Sequence, residues 1–232
     1  MDYVIRPVET LFDHRQAVAL QQRIWEGEQP VPTHLTLALA RHGGVVLGAF
    51  LPDGHMIGLV MSFLGWSRFG LCHHSHMAAV SPEWQGCGIG TALKHAQRQA
   101  VLAQGVTLIT WTYDPLLARN AWFNIGKLRA ICRTYIRNAY GDMPDPINAG
   151  VPSDRFEVEW WLDRDRRGPK PTLSIDIPHD FAALKRASTE AALAWRMRVR
   201  EQCERAFAEG YAVVEFERTT AGGRYWLAKL AP

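Results

Sequence analysis

The sequence predicts an α/β protein with a central mixed β-sheet, helices on both faces of that sheet, and a C-terminal βαββ module. Three observations lead to this fold class. Strand and helix patterns follow one another in the order βααβββαβαββ as far as Leu162. A glycine-rich stretch stands where a strand pattern passes into a helix pattern. A second series of strand and helix patterns follows the charged, proline-containing segment 163–171.

The N-terminal part is predicted to form one strand, two helices and three further strands. The first strand covers 3–8, and Thr10 can cap a helix at 11–26, whose apolar residues recur at helical spacing. The prolines in "GEQPVP" end this helix. Thr33 then begins a shorter helix that Gly43 closes. The three strands that follow cover 45–51, 56–64 and 70–80, and the hairpin signal "PDG" joins the first two.

The remaining elements follow from the same patterns. Up to Leu162 they are a helix at 88–105, a strand at 107–113, a helix at 116–128 and strands at 130–140 and 154–162. Beyond the charged segment they are a strand at 172–177, one long helix at 180–209 and strands at 211–218 and 224–230. We therefore expect two domains, 1–162 and 163–232. The final βαββ order resembles the opening of the chain, and both an internal duplication and coincidence are compatible with it.

Composition limits the classes of function. The 232 residues are 47% hydrophobic and 21% charged, as in ordinary globular proteins. A formal charge of +3 gives no support for nucleic-acid binding. No apolar run approaches the roughly 20 residues of a membrane span, and "MDYVIRPVET" lacks the pattern of a signal peptide. Four cysteines without CxxC spacing argue against a disulfide framework or a zinc site. We expect a cytoplasmic protein without a metal, a nucleic-acid partner or a membrane partner.

The glycine-rich stretch "WQGCGIGT", at 84–91, is typical of an anion-binding loop. Glycine permits positive φ and a close backbone approach. The start of a helix offers unpaired N–H groups and the positive end of the helix dipole, which together suit a phosphate or pyrophosphate. A dinucleotide fingerprint would need glycine where Thr91 stands, and an NTPase phosphate loop would need Gly-Lys-Ser/Thr. A tight turn without a ligand is the alternative interpretation.

The segment "VSPEWQGCGIG", at 80–90, resembles the acyl-CoA-binding signature Q/R-x-x-G-x-G/A of the GCN5-related N-acetyltransferase (GNAT) superfamily. The order of elements from Tyr3 to Leu162 resembles that fold as well. The block "TWTYDPLLARNA" and the C-terminal extension resemble an uncharacterised branch of the superfamily. The resemblance implies acetyl-CoA or another acyl-CoA as co-substrate, with its pyrophosphate held by backbone N–H groups of the loop. The implied loop residues are Gln85, Gly86, Cys87, Gly88, Ile89, Gly90 and Thr91.

The strand before the loop, "HSHMAAV" at 74–80, resembles the H-x-H-x-x-A-V strand of arylalkylamine N-acetyltransferases. The resemblance implies that His74 and His76 assist deprotonation of the amine through water. Buried core histidines are the alternative. Because alternate residues of a strand share a face, the expected faces are His74, His76 and Ala78 on one side and His73, Ser75 and Met77 on the other.

The same resemblance implies a backbone N–H group for the oxyanion, at a place where this strand splays away from its neighbour. A bulge usually produces such a splay. Small side chains would also let the pantetheine arm lie close to the strand. The implied positions are Met77, Ala78, Ala79 and Val80.

The leaving thiolate is where the sequence departs from the family pattern. Many relatives carry a tyrosine that protonates the thiolate, and Ile125 occupies that position here. The nearby tyrosines are Tyr113, Tyr135 and Tyr140, of which we take Tyr140 as the candidate acid. The thiolate could also leave without an enzymic acid, since the pKa of a thiol is modest. Two asparagines of the predicted helix, Asn120 and Asn124, could hydrogen-bond the pantetheine arm or simply lie on the surface.

The acceptor is expected between 27–34 and the turn-rich segment 140–155. Three carboxylates of that segment, Asp142, Asp145 and Asp154, could hold a cationic amine, whereas Arg119 or Arg155 could bind a carboxylate. The predicted function is direct acyl transfer to the amine of a small molecule or an amino acid, without Cys87 as a nucleophile. The alternative is a non-catalytic acyl-CoA sensor or scaffold. The C-terminal module could complete the sheet, cap the acceptor site or form a homodimer contact.

Overall fold

The computed structural model describes residues 2–25, 29–141, 150–165, 168–220 and 222–230. The chain forms two compact units, Met1–Ile109 and Thr110–Pro232. They divide within a strand, Leu108–Tyr113, whereas the sequence predicts a domain boundary after Leu162. The division into a catalytic domain, 1–162, and an extension, 163–232, remains a prediction. Within the described ranges, no helix combines the length and the apolar character needed to cross a bilayer.

The first unit contains an antiparallel sheet in the strand order β1-β2-β3-β4. Its strands are β1 Val4–Pro7, β2 Val45–Phe50, β3 Met56–Ser67 and β4 Gly70–Val80. Its helices are α1 Leu11–Ile24, α2 Thr33–Arg41 and α3 Ile89–Ala103, and a short 3₁₀ turn, Pro82–Trp84, precedes α3. The strands and the three α-helices lie at the places that the sequence patterns predict, whereas the 3₁₀ turn was not predicted. Strand β5, Leu108–Tyr113, follows α3.

Helix α1 begins with the cap that the sequence predicts. The Asp13 N–H donates to Thr10 Oγ1 at 3.0 Å, and the Thr10 N–H donates to Asp13 Oδ2 at 3.2 Å, so the two residues form a capping box. Arg6 adds two hydrogen bonds to the same carboxylate, at 2.8 and 2.9 Å. These bonds hold the pKa of the Asp13 carboxyl well below its usual value, although burial opposes the shift.

Helices cover both faces of the first sheet. On one face, Ala17 and Leu20 of α1 belong to a buried cluster with Leu59 and Met61 of β3. On the other face, α3 packs so closely that a Cβ added at Gly58 would lie 2.9 Å from Leu93 Cδ1. Neighbouring strand residues point to opposite faces, and the packing of Gly58 and Leu59 against different helices follows from this alternation.

The second unit has a sheet in the order β7-β6-β9-β10-β8. Its strands are β6 Ile131–Ile136, β7 Arg155–Trp161, β8 Leu173–Pro178, β9 Tyr211–Thr219 and β10 Gly222–Lys229. Strand β9 pairs with β6 through Cys132 and Val213. The C-terminal module therefore completes a sheet, one of the three roles that the sequence left open. The predicted α/β fold class is confirmed.

Two predicted helices of this unit differ from the structure. The single helix expected at 180–209 is divided into α5 Phe181–Ala187 and α6 Thr189–Ala208. Ser188 between them is extended and caps α6, with its Oγ accepting from the Ala191 N–H at 3.1 Å. The helix expected at 116–128 is a single turn, α4 Ala118–Ala121, that continues as a π-helical segment, Trp122–Lys127.

The two βαββ segments also differ in strand order. Strand β1 pairs with β2, the first strand after its helices. Strand β8 pairs instead with β10, the second strand after its helices. The pairing gives no support to a simple internal duplication.

Candidate functional site

The glycine loop between β4 and α3 has the geometry of an open, exposed turn. Gly86 and Gly88 both have φ of +85°, and Gly88 is the N-cap of α3. A Cβ added to either glycine would have nothing within 4 Å. The backbone conformation therefore favours glycine, while the space beside the loop is open to a ligand.

Hydrogen bonds within the loop decide which N–H groups face that space. The Gln85 N–H donates to Pro82 O at 3.2 Å and closes the 3₁₀ turn, while the predicted part of Gln85 in an anion site stays a prediction. The Gln85 side chain connects the loop to the end of β4, because its Nε2 donates to Val80 O at 3.0 Å. The first N–H that donates into α3 is that of Ala92, to Gly88 O at 3.0 Å. The N–H groups of Ile89–Thr91 therefore stand at the helix N-terminus, where anions are favoured.

Strand β4 is bulged at His76. Met61 of β3 lies opposite Met77, whereas the next residue, Ser62, lies opposite Ser75. His76 is therefore the extra residue of the bulge, one position before the predicted stretch Met77–Val80.

The bulge changes the faces that alternation predicts. Ser75 is hydrogen-bonded to Gln97 of α3. Met77 instead packs against the cluster that contains α1 residues. The predicted common face of Ser75 and Met77 is wrong, because the bulge turns the strand between them.

The two candidate bases lie beside one aromatic ring. The imidazoles of His74 and His76 have centroids 5.4 and 6.3 Å from that of Phe63. The surrounding protein desolvates both imidazoles in part and so lowers the pKa of each, and for His74 the nearby His76 and Lys94 lower it further. His74 is half-buried and His76 is exposed. Both imidazoles therefore favour the neutral form, which can accept a proton.

His73 is a structural residue. It is fully buried and has a hydrogen-bond partner on each side of the ring: Nδ1 lies 3.0 Å from Ser62 Oγ, and Nε2 lies 2.9 Å from Gln104 Oε1. The fully buried histidine of this strand is thus His73, whereas the roles of His74 and His76 stay predictions.

Three predicted site residues, Tyr140, Asn120 and Asn124, belong to the second unit. Tyr140 is 58% exposed, and its hydroxyl lies 3.0 Å from Thr112 Oγ1. Asn124 is buried within the π-helical segment, where its Oδ1 accepts from Trp111 Nε1 at 3.2 Å. It is therefore not a surface residue. Asn120 is half-buried in α4. Ile125 is buried.

The other two tyrosines are poor candidates for an acid. The Tyr113 hydroxyl is buried 3.2 Å from the Tyr225 hydroxyl, and burial raises its pKa well above the usual value. The Tyr135 hydroxyl donates to Asp154 at 2.7 Å, and burial again raises its pKa. Since a raised pKa weakens an acid, neither hydroxyl gives up a proton readily.

The candidate acceptor residues separate into three groups. Asp142 and Asp145 lie outside the described residues. Asp154 is fully buried and accepts two hydrogen bonds from Arg200, at 2.7 and 2.8 Å, so its carboxylate is engaged inside the second unit. Arg119 is exposed. Arg155 donates to Asp154 O at 2.9 Å, and its guanidinium lies 4.9 Å from the Tyr140 ring centroid.

A polar cluster beneath β4 escaped the sequence analysis. Lys94 and Gln97 of α3 are buried and hydrogen-bonded to Ser75 of β4. Lys94 and Gln97 precede the buried Val101 by seven and four residues, spacings that indicate one helix face. This signal could have identified a lysine directed into the core. In the described ranges, no group of three or more His, Cys, Asp or Glu side chains is placed to hold a metal ion.

Comparison with protein families matches residues 13–123 to the model of the Acetyltransferase (GNAT) family. The matched range contains β4, the glycine loop and α3. A search of curated proteins found no match.

Three of the solved structures that are similar to this chain illustrate the shared fold. The ribosomal-protein-S18-alanine N-acetyltransferase from Escherichia coli is 18% identical, with a TM-score of 0.55 over 70% of this chain and 96% of that one. An acetyltransferase of the GNAT family from Streptococcus pneumoniae is 13% identical, with a TM-score of 0.54 over 68% of this chain and 98% of that one. The NatC complex bound to Gag peptide and CoA contains a chain that is 14% identical, with a TM-score of 0.55 over 69% and 99%.

Proposed function

Because residues 13–123 match the model of the Acetyltransferase (GNAT) family, we propose that the protein transfers an acyl group directly from an acyl-CoA to an amine. Acetyl-CoA is the proposed donor, and the amine of a small molecule or an amino acid is the proposed acceptor. The function is proposed for a cytoplasmic enzyme in which 1–162 carries the activity and 163–232 extends it. Homodimer formation is part of the proposal.

The observation that carries this proposal is the open glycine loop at the N-terminus of α3. Its two positive-φ glycines leave free space, and the N–H groups of Ile89–Thr91 precede the first intrahelical donor. These features fit a pyrophosphate, which accepts several hydrogen bonds and is favoured by the helix dipole. Gln85 supports the fit by fixing the loop to Val80. The proposed donor-binding residues are Met77–Val80, Gln85–Thr91, Asn120 and Asn124.

A bound acyl-CoA would supply an activated thioester, and the residues of this chain would supply proton transfer and orientation. His74 and His76 are the proposed bases, acting on the amine through water, since both favour their neutral forms. The bulge at His76 interrupts the ladder next to Met77, which supports a role for nearby backbone N–H groups in stabilising the oxyanion. Tyr140 remains the proposed acid for the thiolate. Cys87 contributes its backbone N–H rather than its thiol.

Binding of the donor is tested first, by thermal-shift titration with CoA, acetyl-CoA and succinyl-CoA. A ligand of the native state raises the unfolding temperature by mass action. A rise with an acyl-CoA supports the proposal and indicates which donor to use with a panel of amines. The absence of any rise would overturn it and leave the loop as a structural turn.

The histidines distinguish an enzyme from the alternative, an acyl-CoA sensor. In an enzyme, His74→Gln and His76→Gln should lower kcat while the Kd for acyl-CoA stays unchanged. A sensor would bind acyl-CoA without turning over any amine of the panel. His73→Gln is a poor control because it would disturb buried hydrogen bonds, whereas His55→Gln, at an exposed site in the β2–β3 turn, is a suitable one.

A further inference from the structure

Lys94 is a buried amine on the α3 side of β4. Its residue is 2% exposed, and its Nζ donates to Ser75 Oγ at 3.0 Å and to Gln97 Oε1 at 2.8 Å. Gln97 Nε2 also donates to Ser75 Oγ, at 3.1 Å. Both of these partners of Lys94 are neutral. A lysine directed into the core is costly to bury, and its position next to the histidine strand suggests a role.

The strand places this amine behind one of the proposed bases. Ser75, which holds Lys94, is the immediate neighbour of His74 along β4. Consecutive strand residues point to opposite faces. Ser75 therefore reaches α3, while the His74 ring lies against Phe63, 5.4 Å away between centroids. Lys94 and His74 are thus close together across the thickness of one strand.

We propose, on the basis of the acyl transfer proposed above, that Lys94 is a positioning residue whose charge, fixed behind β4 by Ser75, keeps the His74 imidazole free of a proton and able to accept one. Lys94 acts through His74 and does not touch the substrate.

The pKa shifts of Lys94 and His74 have the directions that this role requires. Burial lowers the pKa of Lys94 to about 7. The pKa of His74 lies below its usual value of about 6.5, owing first to burial, then to His76 and then to Lys94. As the pH falls through the range in which His74 takes up a proton, more than half of the Lys94 side chains are already charged. The positive charge is therefore present when it opposes protonation of His74.

Other ionisable groups lie on the elements around the pair. Cys72, His73 and His76 come from β4 itself, α3 also carries His95 and Arg98, and β5 carries Tyr113. Strands β2 and β3 contain no ionisable residue, and β1 contributes Arg6, which is paired with Asp13. Helix α1, on the opposite face, carries Asp13, His14, Arg15 and Arg23. Arg23 is paired with Glu83, and His14 is hydrogen-bonded to Thr36.

The test is an NMR titration of the His74 imidazole in the full chain without any ligand, with the signal assigned by its loss in His74→Gln. Lys94→Met removes the charge and the hydrogen bonds, and Lys94→Gln removes the charge but keeps a donor for Ser75. Both variants should move the His74 midpoint to higher pH. Arg15→Met, which removes an exposed charge from α1, should leave the midpoint unchanged. An unchanged midpoint in both Lys94 variants would overturn the proposal.

The pH profile of kcat/KM supplies the functional readout, because it reports the ionisation of the free enzyme that NMR also measures. Loss of the Lys94 charge should move the acid limb of this profile to higher pH, by the same shift that NMR measures. A lower kcat/KM at every pH, with the acid limb in place, is what a merely structural lysine would give, and it would also overturn the proposal. The NMR result needs no acyl transfer, so failure of the Lys94 proposal is distinguishable from failure of the proposed function.

Discussion

Gly88→Ala tests the loop sharply because Gly54 provides a matched control. Both glycines have φ of +85°, and a Cβ added to either would have nothing within 4 Å. Neither substitution therefore causes a clash within the described protein. An L-residue in this conformation costs about 1–2 kcal/mol. In a chain of this length, each kcal/mol lowers Tm by about 2–4 °C, so both variants should lose a similar amount of stability without ligand.

The two variants should differ once acyl-CoA is added. At a concentration of about 100 times Kd, a ligand stabilises the native state by about 2.7 kcal/mol. A Cβ at position 88 occupies the space in which the proposed pyrophosphate would lie, and we expect about tenfold weaker binding, or about 1.4 kcal/mol. The stabilisation at the same ligand concentration should then fall to about 1.4 kcal/mol in Gly88→Ala. It should stay at the wild-type value in Gly54→Ala.

The assay is differential scanning fluorimetry over a range of acetyl-CoA concentrations, with Kd measured by isothermal titration calorimetry. Equal ligand-induced shifts in the two variants would refute the reasoning, because strain alone would then account for the effect at position 88. A loss of binding in Gly54→Ala would refute it as well.

Two further predictions concern ion pairs, one in each unit. The stabilisation from Asp13, whose folded-state pKa is depressed, is present above the unfolded-state pKa of about 4 and is lost as the pH falls. Asp13→Asn should therefore lower the urea midpoint near neutral pH, and the variant should lose less additional stability than the wild type on acidification. The same dependence of the urea midpoint on pH in both proteins would contradict this. Arg200→Met should cost about 3 kcal/mol in urea unfolding, because it leaves the buried Asp154 carboxylate without its cation. Arg205→Met, which removes an exposed pair on the same helix, should cost at most about 0.5 kcal/mol, and equal costs would contradict the argument.

Local patterns were sufficient for most of the fold. The cap at Thr10, the "PDG" turn and the glycine loop involve residues close together in sequence, and each lies where its pattern predicts. The interruption at Ser188 was missed because the residues around it all tolerate a helix, and the choice between one helix and two depends on packing. The π-helical segment Trp122–Lys127 was missed as well, because its residues fit the pattern of an ordinary helix.

Features that depend on pairing between strands could not be read from the sequence. The alternation in "HSHMAAV" shows no irregularity, yet the register with β3 makes His76 the extra residue. The loop could be predicted because its glycines and the helix start are local. The environment of His74, with Phe63 on one side and Lys94 behind the strand, required the partners that β3 and α3 bring to it.

The exposure of Cys87 gives the native protein a built-in reporter. Cys72, Cys132 and Cys203 are buried, whereas Cys87 is exposed at the tip of the glycine loop. A thiol-reactive dye should therefore label the folded chain at one position, beside the proposed binding surface. Protection of that thiol by added nucleotides would then measure occupancy of the loop directly, without a substitution and before any acceptor is identified.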